Sequence, residues 1–252
     1  MIVGAYLKNN ILLLGGTGTL GKTIIKSNLF KNLYHPSRKI LNILDKSKIE
    51  NYLIKNKINI IIHCAALARV KECEKNKKKA YKTNILGTKN VASSVANCFK
   101  KKNLNIKLVF MSSDGVYPST KGNYKESDKL KPYNYYGFTK LEGEKIVKKL
   151  NDFIIIRTRF FDKNNIKFKY AATNIFTSSI EVKKLSLYIY KIIKKKFKGV
   201  INVGGKKVSD YKKYKKYKKN IKPCDKTVIF NSTNVKLASD ASLNLKKFNK
   251  LI

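Results

Sequence analysis

The stretch Ile11-Leu-Leu-Leu14-Gly15-Gly16-Thr17-Gly18-Thr19-Leu20-Gly21 decides the fold. Four consecutive apolar residues fit a strand buried on both faces. The glycines that follow are spaced GxxGxxG, at Gly15, Gly18 and Gly21. From Leu20 onward Leu20, Ile24, Ile25 and Leu29 recur at helical spacing, which predicts a helix over residues 20–30. In a strand–turn–helix unit one glycine permits the tight turn and the next admits a pyrophosphate to the backbone. The last lets the helix pack on the sheet. The free N–H groups at the helix start then offer partial positive charge to the phosphates.

Outward from that unit, apolar runs alternate with helical patterns. Strands are expected at residues 58–63, 106–111, 153–156 and 200–203. Helices are expected at 46–57 after Asp45, and at 80–99, 136–150 and 182–194. Such alternation implies an α/β fold, a Rossmann-type doubly wound parallel sheet covered on both faces. Residues 1–158 read as the NAD(P)-binding domain. Residues 159–252 read as a small, shortened C-terminal substrate lobe interleaved with the last sheet elements, in one compact unit.

Composition narrows the function classes. The chain has 252 residues, 43% of them hydrophobic, enough for one substantial core. No apolar run approaches the roughly 20 residues needed to span a bilayer, and Met1 to Asn10 lacks a signal-peptide layout. Cys64, Cys73, Cys98 and Cys224 form no CxxC pair and suit a reducing, cytoplasmic setting. No metal site is expected.

The formal charge of +41 suggests polyanions. Yet four of the 56 basic residues are arginine, the side chain of the commonest specific base contact. The lysines are spread along the whole chain with Asn, Ile and Tyr, as in the drift of an AT-rich coding sequence. No specific nucleic-acid function is therefore expected, although so basic a surface should attract anionic substrates. The repeat Tyr211-Lys-Lys-Tyr214-Lys-Lys-Tyr217 reads as a surface helix with tyrosine inward and lysine outward. The alternative reading is a stacking platform for single-stranded nucleic acid.

About 20 residues after the glycine turn, an acid would bind the ribose of NAD. Here Ser37-Arg38-Lys39 stands instead. An arginine there can receive a 2′-phosphate, so the expected cofactor is NADP(H) over NAD(H). Tyr136-Gly-Phe-Thr-Lys140 is a YxxxK pair. Four others exist, starting at Tyr117, Tyr190, Tyr211 and Tyr214, but Tyr136 alone opens a helix after the strand end Ser112-Ser113-Asp114. Residues i and i+4 share a helix face. A lysine cation near the phenol favours phenolate, Ser113 can orient a carbonyl oxygen, and the set suits ketone reduction.

These residues resemble the extended short-chain dehydrogenase/reductase family, in its dTDP-4-dehydrorhamnose reductase-like branch. The resemblance adds His63 to Leu67 (HCAAL), Asn84 to Thr88 (NILGT), Met111 to Tyr117, Pro132 to Glu144 and Asp240 to Leu243. It implies a catalytic triad of Ser113, Tyr136 and Lys140. It implies cofactor contacts at Gly15, Gly18, Thr19, Leu20 and Gly21, at Arg38, Asn42 and Ile43, and at Ala65, Ala66 and Leu67, with Tyr136 and Lys140 at the nicotinamide end. Ser113, Asp114 and Phe160 would meet the sugar substrate.

The implied activity is NAD(P)H-dependent reduction of a nucleotide-activated 4-keto-6-deoxy sugar in polysaccharide and dTDP-rhamnose biosynthesis. Alternatives are a nucleotide-sugar epimerase of the same superfamily or a non-catalytic NADP-binding regulatory subunit. Gly115 follows Asp114 where dehydratases carry a second acid, which favours reductase or epimerase. Asn42 stands where the family usually has aspartate. After Phe161 the chain reaches Thr177 in about 15 residues, where the family has a long lobe insertion. A homodimer is compatible with the sequence.

Overall fold

The computed structural model describes residues 9–233 and 238–252. The expectation for the first segment, Met1 to Lys8, lies outside them. Six parallel strands form the central sheet: β1 (Asn10–Leu14), β2 (Asn32–Tyr34), β3 (Ile60–His63), β4 (Lys107–Met111), β5 (Phe153–Arg157) and β6 (Gly199–Asn202). Their order is β6-β5-β4-β3-β1-β2. The order reverses at β1, since β2 lies on one side of it and β3 on the other. In open parallel sheets the crevice at such a reversal, beyond the strand C-termini, is where ligands bind.

Side chains alternate across a strand, so one apolar run feeds two cores. Ile11 and Leu13 enter one core with Leu20 and Ile24 of α1 (Thr19–Lys26) and with Leu185 and Ile189 of the helix Val182–Lys194. Leu12 and Leu14 enter the other, with Ile49 and Leu53 of α2 (Lys46–Lys55) and Val91 and Val95 of α3 (Gly87–Lys102). Asp45 caps α2 by accepting from Lys48 N at 3.0 Å, which satisfies one of the free N–H groups of the first turn.

Two helix boundaries are corrected. The helix after the glycine turn stops at Lys26, because Asn28 takes a left-handed φ of 51° and turns the chain toward β2. That short edge strand has little apolar pattern and escaped the sequence reading. The helix expected at 80–99 begins at Lys77 and contains a π-helical turn, Tyr81–Leu86, before α3. The turn swings Asn84 inward. Its amide donates to Leu67 O at 3.0 Å and Thr139 Oγ1 at 2.9 Å, and its oxygen accepts from Leu67 N at 2.7 Å.

The lobe is built from strands of two or three residues. Phe176–Thr177 pairs with both Val208–Ser209 and Asp240–Ala241, and Lys222–Cys224 pairs with Tyr170–Ala172. A short helix, Asp210–Lys215, follows Val208–Ser209. Here the tyrosine–lysine expectation is overturned. Lys213 is buried and Tyr217 is 41% exposed. The helix ends before Tyr217, and its inward position belongs to Lys213, three residues after Asp210. Tyr214 packs edge-on against Phe168, centroids 4.7 Å apart, so the tyrosines form no open row.

A buried ion pair fastens α4 (Tyr135–Val147) to the sheet. Arg157 donates to Glu144 at 2.9 and 2.7 Å, and both residues are at most 1% exposed. Glu144 also accepts from Ser112 Oγ at 2.6 Å, and Arg157 donates to Tyr117 Oη at 2.8 Å. Removing one partner strands the other charge in the core, at a cost of roughly 3–5 kcal/mol. Arg157→Met alone is therefore expected to lower the thermal midpoint steeply. The Arg157→Met/Glu144→Met double variant should recover much of the loss in chemical denaturation. Additive losses would refute the coupling.

Candidate active site

Two cavities open at the C-terminal ends of the strands. The first, of about 220 Å³, lies at the reversal between β1 and β3. Of the predicted cofactor residues, Gly15, Gly18, Arg38, Asn42, Ile43, Ala65 and Ala66 line it. Sequence reasoning missed its Leu41, Leu44, Cys64 and Thr83. Thr19, Leu20 and Gly21 sit behind it at the start of α1, with Leu20 in the core. Leu67 lies aside, its backbone held by Asn84. Asn42 Oδ1 accepts from Leu44 N at 3.1 Å, so the side chain shapes its own loop.

The glycines have separable duties. Gly15 has φ +90°, and a Cβ there would stand 2.6 Å from Ala65 N. A Cβ at Gly21 would run into Gly15 O. Both are needed for the chain to fold this way. Gly18 differs: it has φ −75°, and a Cβ would meet only Gly15 O, at an ordinary 3.5 Å. The protein itself has room for a side chain there, and that open space faces the cavity. Gly18 also provides no side-chain cap for α1, whose first turn holds no acid. An uncapped helix start beside a glycine cradle suits a pyrophosphate.

The second cavity, of about 360 Å³, holds Ser113, Asp114, Tyr136 and Phe160, four residues that the sequence reading singled out. Ser113 and Asp114 follow β4. Tyr136 stands in the first turn of α4, whose cap Asn134 accepts from Gly137 N at 2.8 Å. Lys140 lines neither cavity. It is 4% exposed, and its ammonium lies 4.0 Å from the Phe110 ring centroid. Burial pulls its pKa down to about 8, against the pull of Cys64 and Glu144.

Tyr136 departs from expectation. Burial, followed by the Asp114 charge, raises its pKa. Arg159 and the Ser113 hydroxyl oppose this only in part. The phenol therefore stays protonated, because burial outweighs the partners that favour phenolate, and Lys140 is not among the groups that act on it. His63 is buried, with Nε2 3.2 Å from Thr88 Oγ1, and burial lowers its pKa to about 3, so it is neutral.

Asp114 is held by Arg159, whose Nε is 2.7 Å from its Oδ2, and by Ser113 Oγ at 3.2 Å from its Oδ1. Burial pushes the Asp114 carboxyl up, and these partners draw it back in part. Sequence reasoning missed Arg159, Thr158, Tyr133 and Asp210, which also line this cavity. The rarity of arginine in so lysine-rich a chain was the available signal for Arg159. Among the described residues no cluster of His, Cys, Asp or Glu could hold a metal ion, and no helix is long and apolar enough to cross a membrane.

Sheet order, glycine turn and strand-end Ser/Tyr/Lys set define a doubly wound α/β protein with the architecture of the extended short-chain dehydrogenase/reductases. Residues 9–179 match the family model described as RmlD substrate binding domain, and the chain belongs to that family. It is 31% identical over 151 residues to methionine adenosyltransferase 2 subunit beta of Bos taurus, covering 56% of this chain and 43% of that one. It is 29% identical over 153 residues to dTDP-4-dehydrorhamnose reductase of Aggregatibacter actinomycetemcomitans, covering 59% and 50%. The chain spans about half the length of the curated relatives it matches. The crystal structure of dTDP-4-dehydrorhamnose reductase from Bacillus anthracis in complex with NADP superposes with a TM-score of 0.82. The identity is 25%, and the match covers 98% of this chain and 94% of that one.

Gly18→Ala should keep the thermal midpoint and weaken NADPH binding at least tenfold by fluorescence titration. Gly15→Ala should lose both. Unchanged affinity in Gly18→Ala would remove the cradle from the cofactor site.

Proposed function

We propose that the chain is an NADP(H)-dependent reductase of a nucleotide-activated 4-keto-6-deoxy sugar, acting in nucleotide-sugar biosynthesis. The observation that carries this reading is the convergence of Ser113 and Tyr136 in one cavity. Lys140 lies one helical turn from Tyr136, and the glycine cradle lies at the neighbouring strand ends.

A bound nicotinamide dinucleotide would supply the hydride. The protein's own residues do the rest. Ser113 donates a hydrogen bond to the substrate carbonyl oxygen and orients it. Tyr136 passes its phenolic proton to that oxygen as negative charge develops. Its raised pKa keeps the phenol in the acid form, which reduction requires and alcohol oxidation does not. Lys140 supplies positive charge from a buried position one helical turn behind Tyr136. Phe160 and Ile175 give the cavity part of its apolar wall. Arg38, at the adenosine end of the first cavity with Pro36 and Leu41, is suited to a 2′-phosphate, which supports NADP(H) over NAD(H).

Tyr136→Phe is expected to cut NADPH oxidation with dTDP-4-keto-6-deoxyglucose by 10²-fold or more, the usual weight of a general acid. Equal rates would refute the assignment. Turnover should fall as pH rises through about 8, where Lys140 loses its proton. Arg38→Ala should raise the KM for NADPH and leave that for NADH nearly unchanged. Equal effects on both would remove the 2′-phosphate role.

The similarity to methionine adenosyltransferase 2 subunit beta favours a second reading, a non-catalytic NADP-binding subunit. It predicts cofactor binding with no keto-sugar-dependent oxidation, and the same assay separates the two.

A further inference from the structure

Lys140 and Lys213 are the buried lysines among the described residues. Lys140 belongs to the catalytic set, whereas Lys213 has no part in the reaction above. Burying an ammonium is costly unless it is paired and hydrogen-bonded. Lys213 Nζ donates to Asp210 Oδ1 and to Thr177 Oγ1, both at 2.7 Å. The pair is one-sided: the Lys213 side chain is 4% exposed, and that of Asp210 is 18% exposed. Asp210 lines the cavity that holds Ser113 and Tyr136. Among the described residues its hydrogen bonds and ion pair all use Oδ1, and Oδ2 has no partner there.

Arg159 repeats this design with the charges reversed. Its side chain is 31% exposed in the same cavity, and its counter-ion Asp114 is buried at 2%. A hydrogen bond of 3.3 Å from Nη2 to Tyr133 Oη steadies it. The cavity therefore presents one acceptor and one donor, each backed by a buried opposite charge. Thr158 lines it too, 4% exposed and with its hydroxyl unpartnered.

That arrangement selects a chemical class. A simple anion gains from Arg159 and is repelled by Asp210. An apolar ketone strips water from both and replaces nothing. A ring bearing free hydroxyls satisfies both, donating to Asp210 Oδ2 and accepting from Arg159. We propose that Asp210 is a substrate-binding residue that reads a ring hydroxyl of the sugar. Lys213 is its positioning residue, and Arg159 is the facing donor. This rests on the keto-sugar reading of the cavity and adds residues from the shortened lobe.

The test is calorimetric binding of unreactive dTDP-glucose, and of analogues each lacking one ring hydroxyl, to the NADPH-loaded protein. Asp210→Asn should weaken dTDP-glucose binding about tenfold or more, the scale of a hydrogen bond to a charged group. NADPH affinity should stay unchanged. One deoxy analogue should bind wild type and Asp210→Asn equally weakly. Lys213→Met should raise the keto-sugar KM more than it lowers kcat, and Lys213→Arg should restore it. If Asp210→Asn fails to fold, the Asp210→Asn/Lys213→Met double variant removes both charges and should show the same loss.

Wild-type affinity for every analogue in Asp210→Asn overturns the proposal, even if the enzyme reduces the keto sugar. Binding that depends on Asp210, without NADPH oxidation, supports the proposal and overturns the catalytic reading. No binding of dTDP-glucose to wild type overturns both.

Discussion

The Glu144–Arg157 pair is the constraint on which the site depends. Glu144 lies one turn beyond Lys140 on α4, and Arg157 ends β5. Glu144 also takes the hydroxyl of Ser112, the residue before Ser113. Tyr117, which Arg157 holds, donates to Asn202 at the end of β6 at 2.9 Å. One carboxylate thus fixes the helix carrying Tyr136 and Lys140 against the strand end carrying Ser113. Its desolvation is repaid by three short hydrogen bonds, which few other positions would permit.

Desolvation has opposite effects on the two groups nearest the chemistry. It keeps the Tyr136 proton on and loosens that of Lys140. The sequence reading considered only the attraction between lysine and phenol, because spacing reports neighbours and not burial. Coulomb attraction across roughly 4–6 Å is worth about two to three pKa units at an effective dielectric of about 20. At Tyr136 burial is the larger influence and holds the proton on.

Much of the architecture was legible, for identifiable reasons. Short β-branched runs such as Ile60–His63, set between helical patterns, fit strands buried on both faces, and the glycine spacing located the crevice. The first cavity was readable because its residues follow two such strands directly. The second was readable only on its β4–α4 side. Asp210, Arg159 and Thr158 come from loops and a six-residue helix, whose placement depends on pairings between strands of two or three residues. No periodicity survives in segments that short. Lys213 was hidden more thoroughly still. In the run from Tyr211 to Lys219 every lysine looks alike, and only the fold distinguishes the one beside Thr177 and Asp210.

That burial also bears on how the chain tolerates its own composition. The chain carries 52 lysines against 15 acids, and among the described residues only Lys140 and Lys213 are buried. Mutational drift toward lysine can therefore proceed across the surface with little resistance from the core. At positions 140 and 213 the side chain is specified by its surroundings. There the chain's lysine-rich composition and the fold's requirement coincide, and a resurfaced version stripped of the other lysines would still need these two.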